Sequence, residues 1–258
     1  MTISSSQGRI KSDQVQQAGS EAARRIVPNV MTLLALGFGI QAVRLSFEAR
    51  FEWAVVCLLI AAVLDGFDGR VARALGGGSR FGAELDSLAD LVNFGVAPAL
   101  LVYLWGLAPL GVWGWAGALI FALCTALRLA RFNVGLDDDA KPARSADFFE
   151  GVPAPAGAFL ALLPVYLHEI GLIDPATAAP WALGYLVTVA GLMVSRLPTF
   201  SAKAVRLRRS RALALLAALA AIGLTMAVAS YPWHVLSAFG LAYLASLPVS
   251  RWRHGAMG

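Results

Sequence analysis

Four aspartates stand close together in an otherwise apolar part of the sequence, and their side chains are those that bind hard metal ions. Residues 65–90 read DGFDGRVARALGGGSRFGAELDSLAD. Asp65 and Asp68 are three residues apart, and Asp86 and Asp90 are four apart, so each pair lies on one face of a helix. Carboxylates are costly inside a membrane, and a group of them there indicates a functional site.

A run of glycines separates the two acidic pairs. Gly76, Gly77 and Gly78 can turn the chain so that the two helices lie antiparallel and their acidic faces meet. Four carboxylates across a narrow gap repel one another unless cations lie between them. Carboxylate oxygens with room left for phosphate favour Mg²⁺ or Mn²⁺, and the lack of His and Cys in the stretch argues against zinc.

The neighbours of the aspartates favour a phosphate-bearing substrate. Gly69 and Ala72 place small side chains one turn beyond the first pair, where a ligand can approach the helix backbone. Arg73 follows Asp65 by two turns, about 12 Å along a helix axis, and its guanidinium can clamp phosphate or a nucleotide. Gly82 lies one turn before Asp86 and clears the facing wall.

These residues together form the pattern D-x2-D-G-x2-A-R-x8-G-x3-D-x3-D. The chain matches it without a gap at Asp65, Asp68, Gly69, Ala72, Arg73, Gly82, Asp86 and Asp90. In this respect it resembles the CDP-alcohol phosphotransferase family. The resemblance implies a membrane-embedded enzyme, a homodimer, that moves a phosphate-linked group from a CDP-activated lipid to an alcohol with the help of two metal ions.

The resemblance also implies roles for single residues. Asp65, Asp68 and Asp86 would bind metal, and Asp90 would bind the second ion and act as general base. The CDP-lipid would be contacted by Gly69, Ala72, Arg73, Ser79 and Gly82, and by Asn29 and Thr32 of the PNVMT segment. The alternative for Asn29 and Thr32 is that they only begin a helix after Pro28.

Three further segments resemble the membrane-spanning phosphatidylserine synthases. They read LDSLADLVNFGVAPA from Leu85, ALRLARFNV from Ala126 and FFEGVPAPAGA from Phe148. The resemblance implies CDP-diacylglycerol and L-serine as substrates. Glycerol 3-phosphate, inositol phosphate and choline are the alternative acceptors within the family.

Serine carries a carboxylate and an ammonium group, and the sequence offers partners for both. Arg128 and Arg131, three residues apart, are candidates for the carboxylate, with Asn133 adding a hydrogen bond. Glu150 is the candidate for the ammonium group, and Asn93, one turn beyond Asp90, is a candidate for orienting the substrate. The alternatives are that the arginines contact lipid headgroups and that Asn93 bonds a neighbouring helix.

The composition decides which elements must hold these residues. The chain has 258 residues, 58% hydrophobic and only 14% charged, with a mean hydropathy of +0.68, which is too apolar for a soluble domain. An all-α transmembrane bundle of about eight helices is therefore predicted. The apolar segments are 29–47, 51–72, 84–105, 111–133, 154–172, 179–196, 211–230 and 233–250.

The basic residues predict the orientation of this bundle. When the segments are threaded from a cytoplasmic N-terminus, only Arg44 and Arg50 of the 21 Lys and Arg residues fall on the outer side. Both termini and the aspartates then face the cytoplasm at the inner membrane. We expect a mobile tail over 1–23 and a single catalytic domain over 24–258.

The remaining alternatives concern charge. The basic cluster at 203–211 indicates a contact with anionic lipid, and the net charge of +5 is not accompanied by a pattern typical of nucleic-acid binding. A cation or proton transporter is the alternative from another functional class, but its acids would be spread over several helices at mid-membrane depth. In this chain the acidic residues of the site lie in only two predicted helices.

Overall fold

The computed structural model describes residues 26–76, 79–136, 148–195, 198–200 and 230–255. This part is predominantly helical, as the sequence predicts. The helices are α1 (Ile26–Phe47), α2 (Phe51–Ala74), α3 (Arg80–Leu110), α4 (Val112–Leu136), α5 (Ala154–Ala161), α6 (Leu163–Glu169), α7 (Pro175–Val194) and α8 (Pro232–Gly255). The strands are β1 (Phe148–Glu150) and β2 (Pro198–Phe200).

Among the described residues, four helices are long and apolar enough to cross a membrane by length and composition: α1, α3, α4 and α7. They mark the chain as an integral membrane protein. The helix α2 is of sufficient length but carries charged residues around its aspartates, and α5 is separated from α6 at Leu162, next to Pro164. The tail 1–23, the basic cluster 203–211 and the predicted segment 211–230 up to residue 229 lie outside the described residues, so the number of crossings stays a prediction.

The central helix is α3. In its most apolar stretch 61% of the residues are buried inside the protein, against 28% in α1 and 33% in α7. The helix widens into π-helical turns at Leu91–Val96 and Tyr103–Leu107. Pro98 has no N–H to bond the carbonyl of Phe94, which favours such an irregular turn, and turns of this type are frequent at functional sites.

Two chain connections meet at the end of the bundle that holds the aspartates. The strands β1 and β2 pair antiparallel, with Phe148 opposite Phe200 and Glu150 opposite Pro198. This short ladder joins the chain before α5 to the chain after α7. The sequence analysis did not predict it, since three-residue strands carry no periodic signal.

Candidate active site

Three of the predicted metal ligands converge. Asp65 and Asp68 lie in the second half of α2, and Asp86 lies in the second turn of α3. Each offers a carboxylate oxygen, and these oxygens all lie within 4.8 Å of one another. The two helices are brought side by side by the turn after Ala74, where Gly76 adopts a φ of +100°, a left-handed conformation that glycine tolerates best.

Asp90 lies one turn beyond Asp86, and its carboxyl group contacts that of Asp65. Its Oδ1 atom is buried and has no hydrogen-bond partner within the described part of the chain. A buried carboxylate oxygen without a partner is costly and calls for a cation or a proton. The four-oxygen donor set, with no His or Cys in it, therefore fits a hard divalent cation better than zinc.

Thr32 of α1 supports this cluster from the side. Its hydroxyl group donates a hydrogen bond of 2.7 Å to Oδ2 of Asp68 and lies 3.1 Å from the carbonyl oxygen of Pro28. Only 4% of Thr32 is exposed. The structure thus gives the side chain a partner among the candidate metal ligands, and its predicted contact with the nucleotide stays a prediction.

The first turn of α3 lets α1 approach closely. The hydroxyl oxygen of Ser79 accepts a hydrogen bond of 3.0 Å from the backbone N–H of Gly82 and so caps the helix. A Cβ atom at Gly82 would lie 2.8 Å from Oδ1 of Asn29 and 3.3 Å from Oγ of Ser79. Gly82 thus lets α1 come near the first turn of α3, next to Asp86.

A cavity of about 330 Å³ opens beside the aspartates, between α1, α2 and the start of α3. It contains every residue predicted for the CDP-lipid except Arg73, whose exposed side chain returns over Gly69, with Nη1 3.7 Å from a Cβ built there. The lining residues are Pro28, Asn29, Thr32, Asp68, Gly69, Ala72, Ser79, Arg80, Gly82, Ala83 and Asp86.

The sequence analysis missed Arg80 in this cavity. Arg80 is the first residue of α3 and adds a positive charge at the mouth of a cavity lined by carboxylates. The sequence does carry a signal for Arg80, since this basic residue follows the glycine run and precedes the second acidic pair. A larger cavity of about 580 Å³ lies between α6 and α7 and holds none of the predicted site residues.

The residues predicted for the acceptor are placed in different ways. Arg128, half-buried, donates a hydrogen bond of 2.9 Å from Nε to the carbonyl oxygen of Val152 and interacts electrostatically with Asp90. Arg131 donates a bond of 2.8 Å from Nη1 to the carbonyl oxygen of Val194. Both arginines thus have backbone partners, which neither the serine nor the lipid-headgroup interpretation anticipated.

The other three acceptor candidates lie on separate elements. Asn133 donates a hydrogen bond of 2.8 Å from Nδ2 to Oγ of Ser87, which adjoins Asp86. Asn93 lies in the first π-helical turn of α3, is 1% exposed and faces Gly39 of α1, and its side-chain atoms have no hydrogen-bond partner among the described residues. Glu150 lies in β1, and its side chain is outside the described part.

Comparison with known proteins extends the match beyond the acidic motif. The sequence profile of the CDP-alcohol phosphatidyltransferases matches residues 25–197, and a second profile, CDP-alcohol phosphatidyltransferase 2, matches residues 214–248. Several relatives carry the name CDP-diacylglycerol–serine O-phosphatidyltransferase, and three of them illustrate the match. A protein of Mycobacterium tuberculosis is 39% identical over 235 residues, covering 88% of this chain and 80% of that protein.

The other two of these relatives come from Helicobacter pylori and Bacillus subtilis. A protein of Helicobacter pylori is 36% identical over 179 residues, covering 68% of this chain and 73% of its own. A protein of Bacillus subtilis is 37% identical over 145 residues, covering 56% of this chain and 78% of its own. Because the profile covers most of the chain and includes Asp65, Asp68, Asp86 and Asp90, the chain belongs to the CDP-alcohol phosphatidyltransferase family.

Proposed function

We propose that this protein is a phosphatidylserine synthase, which transfers the phosphatidyl group of CDP-diacylglycerol to the hydroxyl group of L-serine and releases CMP. The observation that carries the proposal is the convergence of Asp65, Asp68 and Asp86 beside a cavity of about 330 Å³, with Asp90 adjacent. The names of the relatives support serine as the acceptor. The crowding of the acids into two helices favours this reaction over cation transport.

Two divalent ions, Mg²⁺ or Mn²⁺, would be held by Asp65, Asp68 and Asp86, with Asp90 as a ligand of the second. Such ions neutralise the diphosphate and stabilise the charge that develops on the leaving CMP. Thr32 holds Asp68 in place for this role, because a hydrogen-bonded carboxylate keeps one orientation.

The CDP moiety would lie in the 330 Å³ cavity. Asn29, Thr32 and Ser79 offer polar groups there, and Gly69, Ala72 and Gly82 leave room for the ligand. Arg73 and Arg80 would meet the phosphates. The diacylglycerol chains would remain in the inner leaflet among the helices.

Asp90 would act as the general base. Its carboxylate would take the proton from the serine hydroxyl group, the serine oxygen would form a bond to the lipid-bearing phosphorus, and the bond from that phosphorus to the CMP oxygen would break. Arg128 would bind the carboxylate of serine, and its electrostatic interaction with Asp90 supports a place near the general base. Arg131, Asn133, Asn93 and Glu150 are the further acceptor candidates from the sequence.

The proposal includes the arrangement in the membrane. The chain would form one catalytic domain over 24–258, with about eight crossings and both termini and the aspartates facing the cytoplasm of the inner membrane. The excess of basic residues on that side supports this orientation. The active form would be a homodimer, as the family resemblance implies.

The test is CMP release by the purified protein in detergent. CDP-diacylglycerol and Mg²⁺ or Mn²⁺ would be supplied with L-serine, glycerol 3-phosphate, inositol phosphate or choline, each alone. We expect release with serine only, and loss of release with a chelator. Release with a different alcohol would keep the aspartate chemistry and contradict serine as acceptor. No release with any of them would contradict the proposed reaction.

A further inference from the structure

Three hydrogen bonds form a closed ring that ties α4 to two other parts of the chain. Arg128 of α4 donates a hydrogen bond of 2.9 Å from Nε to the carbonyl oxygen of Val152, which precedes α5. The N–H of Val152 donates a hydrogen bond of 3.3 Å to the carbonyl oxygen of Leu192, in the last turn of α7. Arg131 of α4 donates a hydrogen bond of 2.8 Å from Nη1 to the carbonyl oxygen of Val194, the last residue of α7. We call these five residues the arginine ring.

The ring provides partners for two carbonyl groups at the end of α7. The last four carbonyl groups of a helix have no partner within it, and they carry the negative end of the helix dipole. The carbonyl oxygen of Gly191 accepts from the N–H of Ser195, that of Leu192 accepts from Val152, and that of Val194 accepts from Arg131. The positive charge of Arg131 is therefore placed where the dipole favours it.

Gly151 allows the chain before α5 to come this close to α7. Its φ is +78°, which side chains other than glycine rarely adopt. A Cβ atom at this position would lie 2.6 Å from the carbonyl oxygen of Ser195 and 2.7 Å from that of Met193. Both the conformation and the space thus require glycine, and the contact sets the position of Val152 relative to α7.

The ring determines how Arg128 is presented to the site. Its Nε is bound to Val152, and its guanidinium carbon lies 5.6 Å from the centre of the Phe132 ring. The guanidinium also interacts electrostatically with Asp90. A displacement of Val152 would therefore move a charge that interacts with Asp90.

From this geometry we infer that Arg131 is a positioning residue for the acceptor site and not a ligand of the acceptor. Arg131 holds the end of α7, α7 holds Val152, and Val152 orients Arg128 toward the acceptor carboxylate. The inference rests on the proposed function for the identity of that acceptor. It separates two arginines that look equivalent in the sequence.

The first arm of the experiment tests the hydrogen bonds of the arginine ring by a measurement that does not depend on enzyme activity. Backbone hydrogen exchange is followed by mass spectrometry in the full-length protein and in Arg131→Gln. Arg131 bonds the carbonyl oxygen of Val194, two residues after Leu192, whose carbonyl oxygen accepts from the Val152 N–H. Because losing this bond frees the end of α7, we expect the peptide containing Val152 to exchange about tenfold faster in the variant. The peptide containing Leu172, whose N–H bonds Leu167 elsewhere in the bundle, should be unchanged.

The second arm measures CMP release against the concentrations of serine and CDP-diacylglycerol. Arg131→Gln should raise KM for serine about tenfold, as expected for a lost charged hydrogen bond, with KM for CDP-diacylglycerol unchanged within about twofold. Arg131→Lys keeps a donor for the end of α7 and should restore most of the serine KM. Arg44→Gln, which removes an exposed arginine paired with Glu48, is the control and should behave as the parent protein.

Gly151→Ala provides an independent break of the same ring. Its control is Gly171→Ala, because Gly171 has a similar φ of +75° but nothing within 4 Å of a Cβ placed there. We expect Gly151→Ala to raise the serine KM more than Gly171→Ala does. Combined with Arg131→Gln it should add little further, since both changes release the same contact.

Two results would overturn the inference. Unchanged exchange of the Val152 peptide in Arg131→Gln would show that Arg131 does not hold this connection, whatever alcohol the enzyme uses. Fully multiplicative effects of Arg131→Gln and Gly151→Ala on the serine KM would show that Arg131 acts on serine directly. If Arg131→Gln does not fold, Arg131→Lys and the two glycine variants decide the same question. A parent protein inactive with serine contradicts the proposed function but leaves the exchange arm intact.

Discussion

Asp90 is distinguished from the other aspartates by a buried oxygen that has no partner among the described residues. A base in this position can take up a proton from the acceptor, and Asp90→Asn removes that ability while keeping the size of the side chain. We expect kcat for CMP release to fall on the order of 100- to 10,000-fold with the binding of CDP-diacylglycerol largely kept. Asp174→Asn, a helix cap at α7, is the control. Near-normal turnover in Asp90→Asn would contradict the base assignment.

The hydrogen bond from Thr32 to Asp68 leads to a prediction about metal affinity. Thr32→Val keeps the shape of the side chain and removes the hydrogen bond to Oδ2 of Asp68. Because partners that orient metal ligands affect affinity strongly, we expect about tenfold more Mn²⁺ or Mg²⁺ to be needed for half-maximal activity. Thr125→Val removes a buried hydroxyl that bonds only the backbone of Phe121 within the described residues, and should leave the metal requirement unchanged. Equal metal curves for Thr32→Val and the parent protein would rule out this support role.

At the scale of elements, the contact between α1 and α3 sets the frame for the aspartates. A Cβ atom at Gly39 of α1 would collide with Oδ1 of Asn93, which is buried in the π-helical turn after Asp90. Gly39→Ala should therefore destabilise the protein by about 1–3 kcal/mol and lower its thermal unfolding temperature in detergent.

Gly37, two residues earlier in the same helix, has nothing within 4 Å of a Cβ placed there. Gly37→Ala is the matched control and should be neutral or slightly stabilising, because alanine is the better helix former. If both variants unfold at the same temperature, α1 does not pack on Asn93 as closely as the structure indicates.

At the scale of the whole molecule, the proposed orientation can be tested by labelling. Val134 in the last turns of α4 is 71% exposed, and Leu172 between α6 and α7 is 69% exposed, so both are accessible to a similar degree. Each is changed to cysteine in a background without Cys57 and Cys124. An impermeant maleimide should label Leu172→Cys in intact cells and Val134→Cys only after permeabilisation. The reverse pattern would invert the proposed topology.

The sequence alone predicted the acidic residues of the site and determined the membrane class of the chain. Both follow from local rules. The spacings of three and four put Asp65 with Asp68 and Asp86 with Asp90 on helical faces, and long apolar runs must be helices in lipid. The glycine run predicted the turn that brings the pairs together, and three of the four carboxylates do converge.

Only the tertiary structure decided the partners of Arg128 and Arg131, the contact of Thr32 with Asp68 and the burial of Asn93. These depend on contacts between residues far apart in the chain, such as Arg131 with Val194 and Gly151 with Met193. Helical spacing fixes the face on which a side chain lies but not the element it meets. Two arginines one turn apart are therefore alike in sequence and differ in the structure, because each finds a different carbonyl group.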